Sequence, residues 1–496
     1  MFTIWHYLFE YIKINYFAAV LVLVLLLLSL AKYVITFRSV NFKWALVFIL
    51  VLGISLRLFW LAFSSHQPDR SWEEAKNQGQ EIDLINIHAI ELTKGIWFEN
   101  PDGTPSARRP IGYPVFLGLF YKLFGAKIEV AWVAHLFLYL ITSYFVFLIG
   151  RHIFNDRVGI LAVFLFSIYP ISIYAINMTT DEHLFLPLWY FGIFILFKDI
   201  KGIRIPCRWL WYGLIFGYAA MTRTHAIFMP FVIAIADFVK KINLRRIFVQ
   251  FVLVAFIMQL TNLPWIIRNY KVFGVPILYA ATSCFVYSHF NSTADPEWGG
   301  HIPEKGEEGY SPALEDALRS GSVKANQMCN QEIIRWIADH PKEFIVLGIS
   351  RLLSFMNWNR AGGVWPLWYQ FYEGAYDPAR PLNPKLKKCL EEAAFIMYYS
   401  VFWGWIFSIM LMGKRWNSFS NDAKISILIA GSCFMFWFLE HMIIYPDRKY
   451  RFPLEPLMII MATYFFDYIL VTFRWENLFK AFKLHLKTRP FGKSYE

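Results

Sequence analysis

Long apolar runs recur along most of this chain. A helix that crosses the hydrocarbon core of a bilayer needs about 20 mostly apolar residues. Runs of that kind occupy residues 16–36, 43–63, 129–150, 158–176, 183–198, 209–221, 224–240, 247–268, 393–413, 424–444 and 452–472. The pattern predicts an all-α polytopic membrane protein with about eleven transmembrane helices, of which 209–221 and 224–240 are short.

The first run differs from a cleavable signal peptide. It is long enough to span a membrane, and no A-x-A-type cleavage site follows it. We therefore expect three parts of the chain. Residues 1–44 form an additional transmembrane helix with a basic inner loop, residues 45–472 form the transmembrane core, and residues 473–496 form a basic cytoplasmic tail.

Charge predicts how the helices are oriented. Every second connection between apolar runs is basic, and so is the C-terminal tail. By the positive-inside rule these segments face the cytoplasm, which places the N-terminus outside. The net charge of +12 is therefore attributed to topology rather than to nucleic-acid binding, because the basic residues lie at the ends of apolar runs. The membrane lipids themselves are the expected surroundings.

The outer connections are long and of mixed charge. The two largest are residues 65–128 and 269–392. Within them, residues 81–97 and 330–356 place apolar side chains at helical spacing, which predicts amphipathic helices on the outer surface. A transporter usually shows a repeated half with broken helices. Short basic inner loops and large polar outer loops instead favour chemistry at the outer face.

The first outer loop contains candidate catalytic residues. Glu81 and Asp83 lie at the start of the amphipathic stretch, and Arg108 and Arg109 lie ahead of an apolar stretch. A carboxylate at a membrane border can act as a general base on an acceptor hydroxyl, and an arginine pair can bind a phosphate through paired hydrogen bonds. The spacing alone favours a solvated loop in which the helix dipole stabilises Glu81 near a helix start.

Further ionisable residues are predicted at outer helix ends, where the positive-inside rule disfavours arginine. The candidates are Asp181, Glu182, Arg223, His225, Arg268, Arg448, Tyr450 and Arg451. Any single arginine could extend to the lipid headgroups. Several arginines on one face, opposite a loop with carboxylates, indicate a site for an anionic phosphate headgroup.

The five cysteines form no CxxC pair and have no histidine partner at zinc-ligand spacing. We therefore predict no metal site. A disulfide between Cys284 and Cys329 is one possibility that the sequence leaves open.

The order of these motifs resembles the GT-C superfamily of membrane glycosyltransferases over residues 45–470. Within it, the chain is most similar to the group containing protein O-mannosyltransferases, the lipid A aminoarabinose transferase and their bacterial relatives. The resemblance rests on the acidic first-loop motif followed by Ala89 and Gly95, and on the elements Arg109–Pro114, Thr180–Phe185, Met221–Arg223, Pro264–Asn269 and Lys449–Pro453.

The resemblance implies an inverting transfer of one sugar from a polyprenyl-phosphate carrier to a lipid, glycan or protein acceptor. The implied base is Glu81 by its distance from Ala89 or Asp83 by residue type, and both remain open. Arg223, Arg268 and Arg451, with Arg108 or Arg109, are expected to hold the donor phosphate, and no cofactor is implied. Glu182, His225, Arg448 and Tyr450 are further candidates.

Two other functions remain as alternatives. One is an oligosaccharide ligase or polymerase that uses a prenyl-diphosphate donor, and the other is a transporter of lipid-linked substrates. The expected location is the cell inner membrane, with the active site on the periplasmic or outer face.

Overall fold

The structure is a computed structural model that describes residues 42–64, 83–99, 103–203, 205–294, 300–319, 323–357, 366–367, 384–444 and 448–472. The predicted first span at 16–36, the tail at 473–496 and Glu81 lie outside these residues. The regular structure of the described residues is helical, apart from one isolated bridge between Glu99 and Pro105.

Helices occur both in the predicted spans and in the two predicted outer loops. They are α1 Phe42–Phe63, α2 Asp83–Thr93, α3 Gly112–Phe124, α4 Ile128–Ile153, α5 Asp156–Ser167, α6 Pro170–Tyr174, α7 Glu182–Ile200, α8 Arg208–Thr222, α9 Met229–Val239, α10 Leu244–Thr261, α11 Leu263–Phe273, α12 Ser283–Tyr287, α13 Pro312–Arg319, α14 Val323–Asp339, α15 Pro341–Met356, α16 Pro384–Lys414, α17 Asn421–Ile443 and α18 Glu455–Thr472. Short 3₁₀ segments at Thr224–Phe228 and Arg448–Leu454 precede α9 and α18.

The prediction of an all-α polytopic membrane protein is confirmed. Seven helical segments among the described residues are long and apolar enough to cross a membrane, and the bent pair α5–α6 would make an eighth. The short runs 209–221 and 224–240 coincide with α8 and with the segment Thr224–Val239, which fall below that length. The described part of the chain thus supports fewer full-length spans than the eleven expected.

Proline and asparagine account for the differences from the predicted boundaries. The run 158–176 bends by 53° where Pro170 begins α6, and Pro341 divides the stretch 330–356 into α14 and α15. The run 247–268 ends as a helix at Thr261, and α11 starts anew after Asn262 with Pro264 in its first turn. Proline lacks the N–H that a continuous helix requires, but it is well tolerated at a helix start.

Helix α18 lies at the centre of the bundle, between α16, α5 and α4. In its most apolar window 78% of the residues are buried, against 28% for α1, so α1 lies at the periphery. Large apolar side chains on α1 and α10, such as Phe48, Phe59 and Phe248, are exposed. Such exposure is expected where a helix faces lipid.

The two predicted outer loops contain helices that pack against other helices of the structure. In the first loop, α2 packs against α3, and Ile85 and Ala89 share a buried cluster with Tyr113 and Leu117. The apolar face of α2 is therefore covered by protein. In the second loop, the disulfide between Cys284 and Cys329 joins α12 to α14.

The native cysteines provide a topology test. Cys207 and Cys389 are both exposed free thiols. Cys207 lies in a predicted inner connection, and Cys389 lies near the end of the predicted second outer loop. In sealed cells that express the protein, an impermeant maleimide is expected to label Cys389 but not Cys207, because the membrane blocks the reagent. The readout is labelling of Cys389→Ser and Cys207→Ser variants before and after lysis. Labelling of Cys207 in intact cells would contradict the predicted orientation.

Candidate functional site

Ionisable side chains converge where α7 and α18 begin and where α8 and α17 end. These termini share one end of the bundle, which the charge pattern predicts to be the outer end. Asp181 and Glu182 lie at the start of α7, Arg223 follows α8, and Glu440 lies in the last turn of α17. The motifs that are scattered along the sequence therefore meet in one place.

Arg223 forms the central ion pair of this cluster. Its Nη1 contacts Glu182 Oε1 and lies 3.7 Å from Asp181 Oδ1. The guanidinium group also lies over the ring of Tyr450, 4.9 Å from its centroid. The side chains of Arg223 and Glu182 are 5% and 0% exposed. Charges buried this deeply are retained only when they are paired, so each depends on the other.

The local backbone explains how these residues meet. Asp181 and Glu182 occupy the N-terminus of α7, where the helix dipole favours negative charge. Arg223 has an extended conformation between α8 and the 3₁₀ segment, with φ −144° and ψ 130°. This single extended residue separates α8 from the 3₁₀ segment Thr224–Phe228, at the point where both lie beside the start of α7.

Burial and charge act in opposite directions on this cluster. Burial raises the pKa of Asp181, while the neighbouring Arg223 opposes that rise. Burial by itself would lower the pKa of Arg223, but the carboxylates of Glu182 and Asp181 reverse the effect and raise it. Arg223 therefore remains a cation, whereas Asp181 binds a proton more readily than an ordinary aspartate.

A second pair lies beside the first. His225 Nδ1 is 2.7 Å from Glu440 Oε1, and both side chains are 6% exposed. The His225 ring lies 4.5 Å from that of Trp437 and 6.0 Å from that of Tyr450, measured between centroids. Tyr450 thus contacts Arg223 on one side and His225 on another. The partner explains why a glutamate occurs inside the apolar run of α17.

Arg451 is fully buried and holds two segments together. Its Nε donates to Glu455 Oε1 at 2.9 Å, and its Nη1 donates to the carbonyl of Phe355 at 2.6 Å. Its guanidinium group lies 3.9 Å from the ring centroid of Tyr398. These contacts join the start of α18 to the end of α15. Arg451 is engaged by protein groups in this structure, although it was expected to hold the donor phosphate.

Arg268 is also engaged by the protein. Its Nη1 donates to the carbonyl of Ser106 at 2.8 Å, and its Nη2 donates to the carbonyls of Trp97 and Phe98 at 3.0 and 3.1 Å. Arg268 thereby fixes the backbone of the first outer loop. Arg448 begins the 3₁₀ segment before α18, and its side chain lies outside what the structure describes.

A cavity of about 570 Å³ lies next to these clusters. Arg108, Arg109 and Tyr450 line it together with the second outer loop. The remaining lining residues are Pro105, Ser106, Ala107, Phe273, Ala281, Thr282, Cys284, Phe285, Ser288, Ile302, Leu318, Ala325 and Asn326. Arg109 is also close enough to Asp181 to lower the pKa of that carboxyl. The cavity and the carboxylate cluster are therefore neighbours.

The first-loop carboxylates can be placed only in part. Glu81 lies outside the described residues, and Asp83 is the first residue of α2. Ile85 and Ala89 of α2 share a buried cluster with Leu184, two residues after Glu182. The helix that Asp83 begins therefore packs beside the start of α7.

Lys449 is a site residue that the sequence prediction omitted. It is 8% exposed, and its charge acts on both Asp181 and Glu182. The signal was present in the basic run 448–451, in which Lys449 acts on Asp181 and Glu182 while Arg451 donates to Glu455. Among the described residues, no group of three or more His, Cys, Asp or Glu side chains is arranged to hold a metal ion.

The family of dolichyl-phosphate-mannose-protein mannosyltransferases matches residues 108–265. The matched segment is less than half of the chain, and it contains Arg108, Arg109, Asp181, Glu182 and Arg223. The predicted resemblance to GT-C membrane glycosyltransferases is confirmed by this match. No curated protein matches the chain.

Solved structures with a similar helical arrangement include two from this superfamily. The Archaeoglobus fulgidus oligosaccharyltransferase AglB is 13% identical, with a TM-score of 0.46, over 92% of this chain and 53% of its own. ArnT from Cupriavidus metallidurans, solved with bound undecaprenyl phosphate, is 14% identical, with a TM-score of 0.41, over 86% of this chain and 78% of its own. The chain spans about half the length of AglB.

The buried pair of Arg223 and Glu182 leads to a stability prediction. Arg223→Met is expected to lower the free energy of unfolding by about 3–5 kcal/mol, because it leaves a buried carboxylate without its partner. The double variant Arg223→Met/Glu182→Gln is expected to recover part of that loss, since the unpaired charge is also removed. Unfolding of the detergent-solubilised protein measures both.

Arg157 provides the matched control, because its ion pair with Asp467 is 3.7 Å long and its side chain is 47% exposed. Arg157→Met is expected to cost no more than about 1 kcal/mol. Equal losses for Arg157→Met and Arg223→Met would show that the Arg223 pair is not a special constraint.

Proposed function

We propose that this protein is an inverting glycosyltransferase that moves one sugar from a polyprenyl-phosphate carrier to an acceptor at the outer face of the membrane. The observation that carries the proposal is the cavity lined by Arg108, Arg109 and Tyr450 beside the Asp181–Glu182–Arg223 cluster. Cations that suit a phosphate lie next to carboxylates in this arrangement, at one end of a bundle of apolar helices, which supports the proposal.

The two arginines suit the donor phosphate. A guanidinium group stays charged and matches phosphate oxygens through paired hydrogen bonds. Arg108 and Arg109 are adjacent in the chain and both line the cavity. Arg268 and Arg451 are already bound to backbone carbonyls and, for Arg451, to Glu455. The proposed donor site relies on the first outer loop because Arg108 and Arg109 line the cavity, whereas Arg268 and Arg451 are not among its lining residues.

The proposed reaction is a single displacement. A first-loop carboxylate, Glu81 or Asp83, takes the proton of the acceptor hydroxyl, and the acceptor oxygen bonds to the anomeric carbon. The bond between that carbon and the phosphate oxygen breaks, and the electron pair leaves with polyprenyl phosphate. Arg108 and Arg109 stabilise the charge that develops on the leaving phosphate. Inversion is what the resemblance implies. A single displacement inverts the anomeric carbon and needs only one carboxylate base.

The Arg223 cluster has a positioning role in this proposal. Glu182 is fully buried against Arg223, so it is poorly placed to accept a proton from a substrate. Arg223 and His225 both contact Tyr450, which lines the cavity. We infer that these two pairs fix the Tyr450 side of the donor site.

The location is part of the proposal. The Cys284–Cys329 disulfide lies in the second outer loop, and disulfides persist mainly in oxidising compartments outside the cytosol. This supports an active site on the periplasmic or outer face of a cell inner membrane. The acceptor is proposed as a lipid, a glycan or a protein.

Variants of the cavity arginines test the donor site. With purified protein and polyprenyl-phosphate sugars, Arg109→Gln is expected to lower transfer about 10²–10³-fold, because the leaving phosphate loses a cation. Arg245→Gln, on the opposite end of the bundle, is the control and should keep full activity. Transfer from a prenyl-diphosphate oligosaccharide alone would instead identify a ligase.

Variants of the first loop test the proposed base. Glu81→Gln and Asp83→Asn are compared at equal protein concentration, and one of them is expected to lower the rate about 10²–10⁴-fold. The other serves as its control, because both remove one carboxylate from the same loop. If neither variant lowers transfer, the base lies elsewhere.

The raised pKa of Asp181 predicts a pH effect on transfer. On acidification, Asp181 takes up a proton at a pH above the usual pKa range of aspartate. The net charge beside Arg109 then becomes more positive, and donor binding is expected to tighten. The apparent KM for the donor should therefore fall toward acidic pH in the wild type. In Asp181→Asn this dependence should disappear, because the group can no longer titrate. An unchanged KM profile in the variant would exclude Asp181 as its origin.

A further inference from the structure

A second polar cavity lies at the opposite end of the bundle. Its volume is about 650 Å³, and it lies where α4, α7 and α16 end and where α5 and α17 begin. This is the predicted cytoplasmic end. The cavity is separate from the one lined by Arg108 and Arg109, so the proposed transfer reaction makes no use of it.

Four cations line this inner cavity, namely Arg151, Arg157, Lys201 and Arg415, against the two carboxylates of Asp422 and Asp467. Arg151 is compensated by Asp156 at 2.6 Å and Arg157 by Asp467 at 3.7 Å. Within the described part of the chain, no carboxylate lies within ion-pair distance of Lys201 or Arg415. Lys201 and Arg415 therefore have no paired carboxylate among these residues, and the four cations of the wall outnumber its two carboxylates.

Two helix N-termini add to this positive potential. Helix α5 starts with its cap Asn155 on the wall, and α17 starts with its cap Ser420 on the wall. The first backbone N–H groups of a helix carry partial positive charge and favour anions. The two helices have 12 and 23 residues, and both caps line the same cavity as the arginines. The electrostatics of the wall therefore favour a compact anion.

The position of the cavity identifies the class of anion. Its wall also contains Phe154, Tyr464 and Val471, and Arg415 lies 5.4 Å from the ring centroid of Tyr468. Apolar and aromatic side chains next to cations at a membrane border match a lipid with a charged head and acyl tails. Basic pockets between helices at the cytoplasmic side are suited to anionic lipid headgroups.

We propose that this inner cavity, with Lys201 and Arg415 as its uncompensated cations, binds the phosphate headgroup of an anionic phospholipid of the inner leaflet. The phosphate lies between the ends of α7 and α16, which are lined by Lys201 and Arg415. Lipid binding here would brace the inner ends of the helices whose outer ends form the transfer site.

The experiment measures lipid retention by native mass spectrometry of the full chain. The protein is released from phosphatidylcholine nanodiscs that contain a minor fraction of phosphatidylglycerol. Wild type is expected to retain phosphatidylglycerol, and Lys201→Gln/Arg415→Gln to retain about tenfold less, because two headgroup contacts are lost. The exchange variant Lys201→Arg/Arg415→Lys keeps both charges and should retain the lipid. The exchange variant also shows whether a loss of lipid in the Gln variant arises from the missing charges or from misfolding.

The matched control is Lys241→Gln/Arg245→Gln, which removes two exposed charges from the same end of the protein but outside the cavity. An equal loss of lipid in the control would overturn the proposal in favour of diffuse attraction to the surface. Competition with inorganic phosphate distinguishes the source of the anion. A wild-type protein that retains inorganic phosphate but no phosphatidylglycerol would show a site for a free anion and would overturn the lipid assignment.

Discussion

The buried ion pair between Arg223 and Glu182 is the contact on which the outer end of this bundle depends. A charge that is removed from both water and headgroups must find an opposite charge within the protein. Arg223 therefore holds the end of α8 against the start of α7. Once these two termini are joined, Asp181 lies beside the same arginine and Tyr450 lies against its other face.

Tyr450 connects the remaining parts of the site. It belongs to the 3₁₀ segment Arg448–Leu454. Tyr450 contacts Arg223 and His225 and lines the cavity, whereas Arg451 is fully buried beside Glu455 and Tyr398. A continuous α-helix would have separated these side chains differently. One short segment can therefore serve three charge clusters. Lys449 acts on Asp181 and Glu182, Tyr450 contacts His225, and Arg451 pairs with Glu455.

The spans were predictable because the lipid solvent imposes a simple length and apolarity requirement on each helix. Every described run from residue 43 onward coincides with a helix. The errors at Pro170, Asn262 and Pro341 arose because apolarity continues through a break in the backbone. The candidate site was harder to divide into roles. Arg223, Arg268 and Arg451 all lie at predicted outer helix ends, and only their partners distinguish their roles. Arg223 pairs with carboxylates, Arg268 binds loop carbonyls, and Arg451 is fully buried and connects two segments.

The sequence by itself determined that this protein lives in a membrane. It also predicted which ends of its helices face outward and that carboxylates and arginines gather at those ends. These properties follow from the order and spacing of residue types, because the bilayer constrains the apolarity and flanking charge of each helix separately. The tertiary structure alone decided that Arg108 and Arg109 line the cavity while Arg268 and Arg451 do not, because those positions depend on contacts between residues far apart in the chain. It also brought Lys449 to the carboxylates and gathered Lys201 and Arg415 around a second, inner cavity.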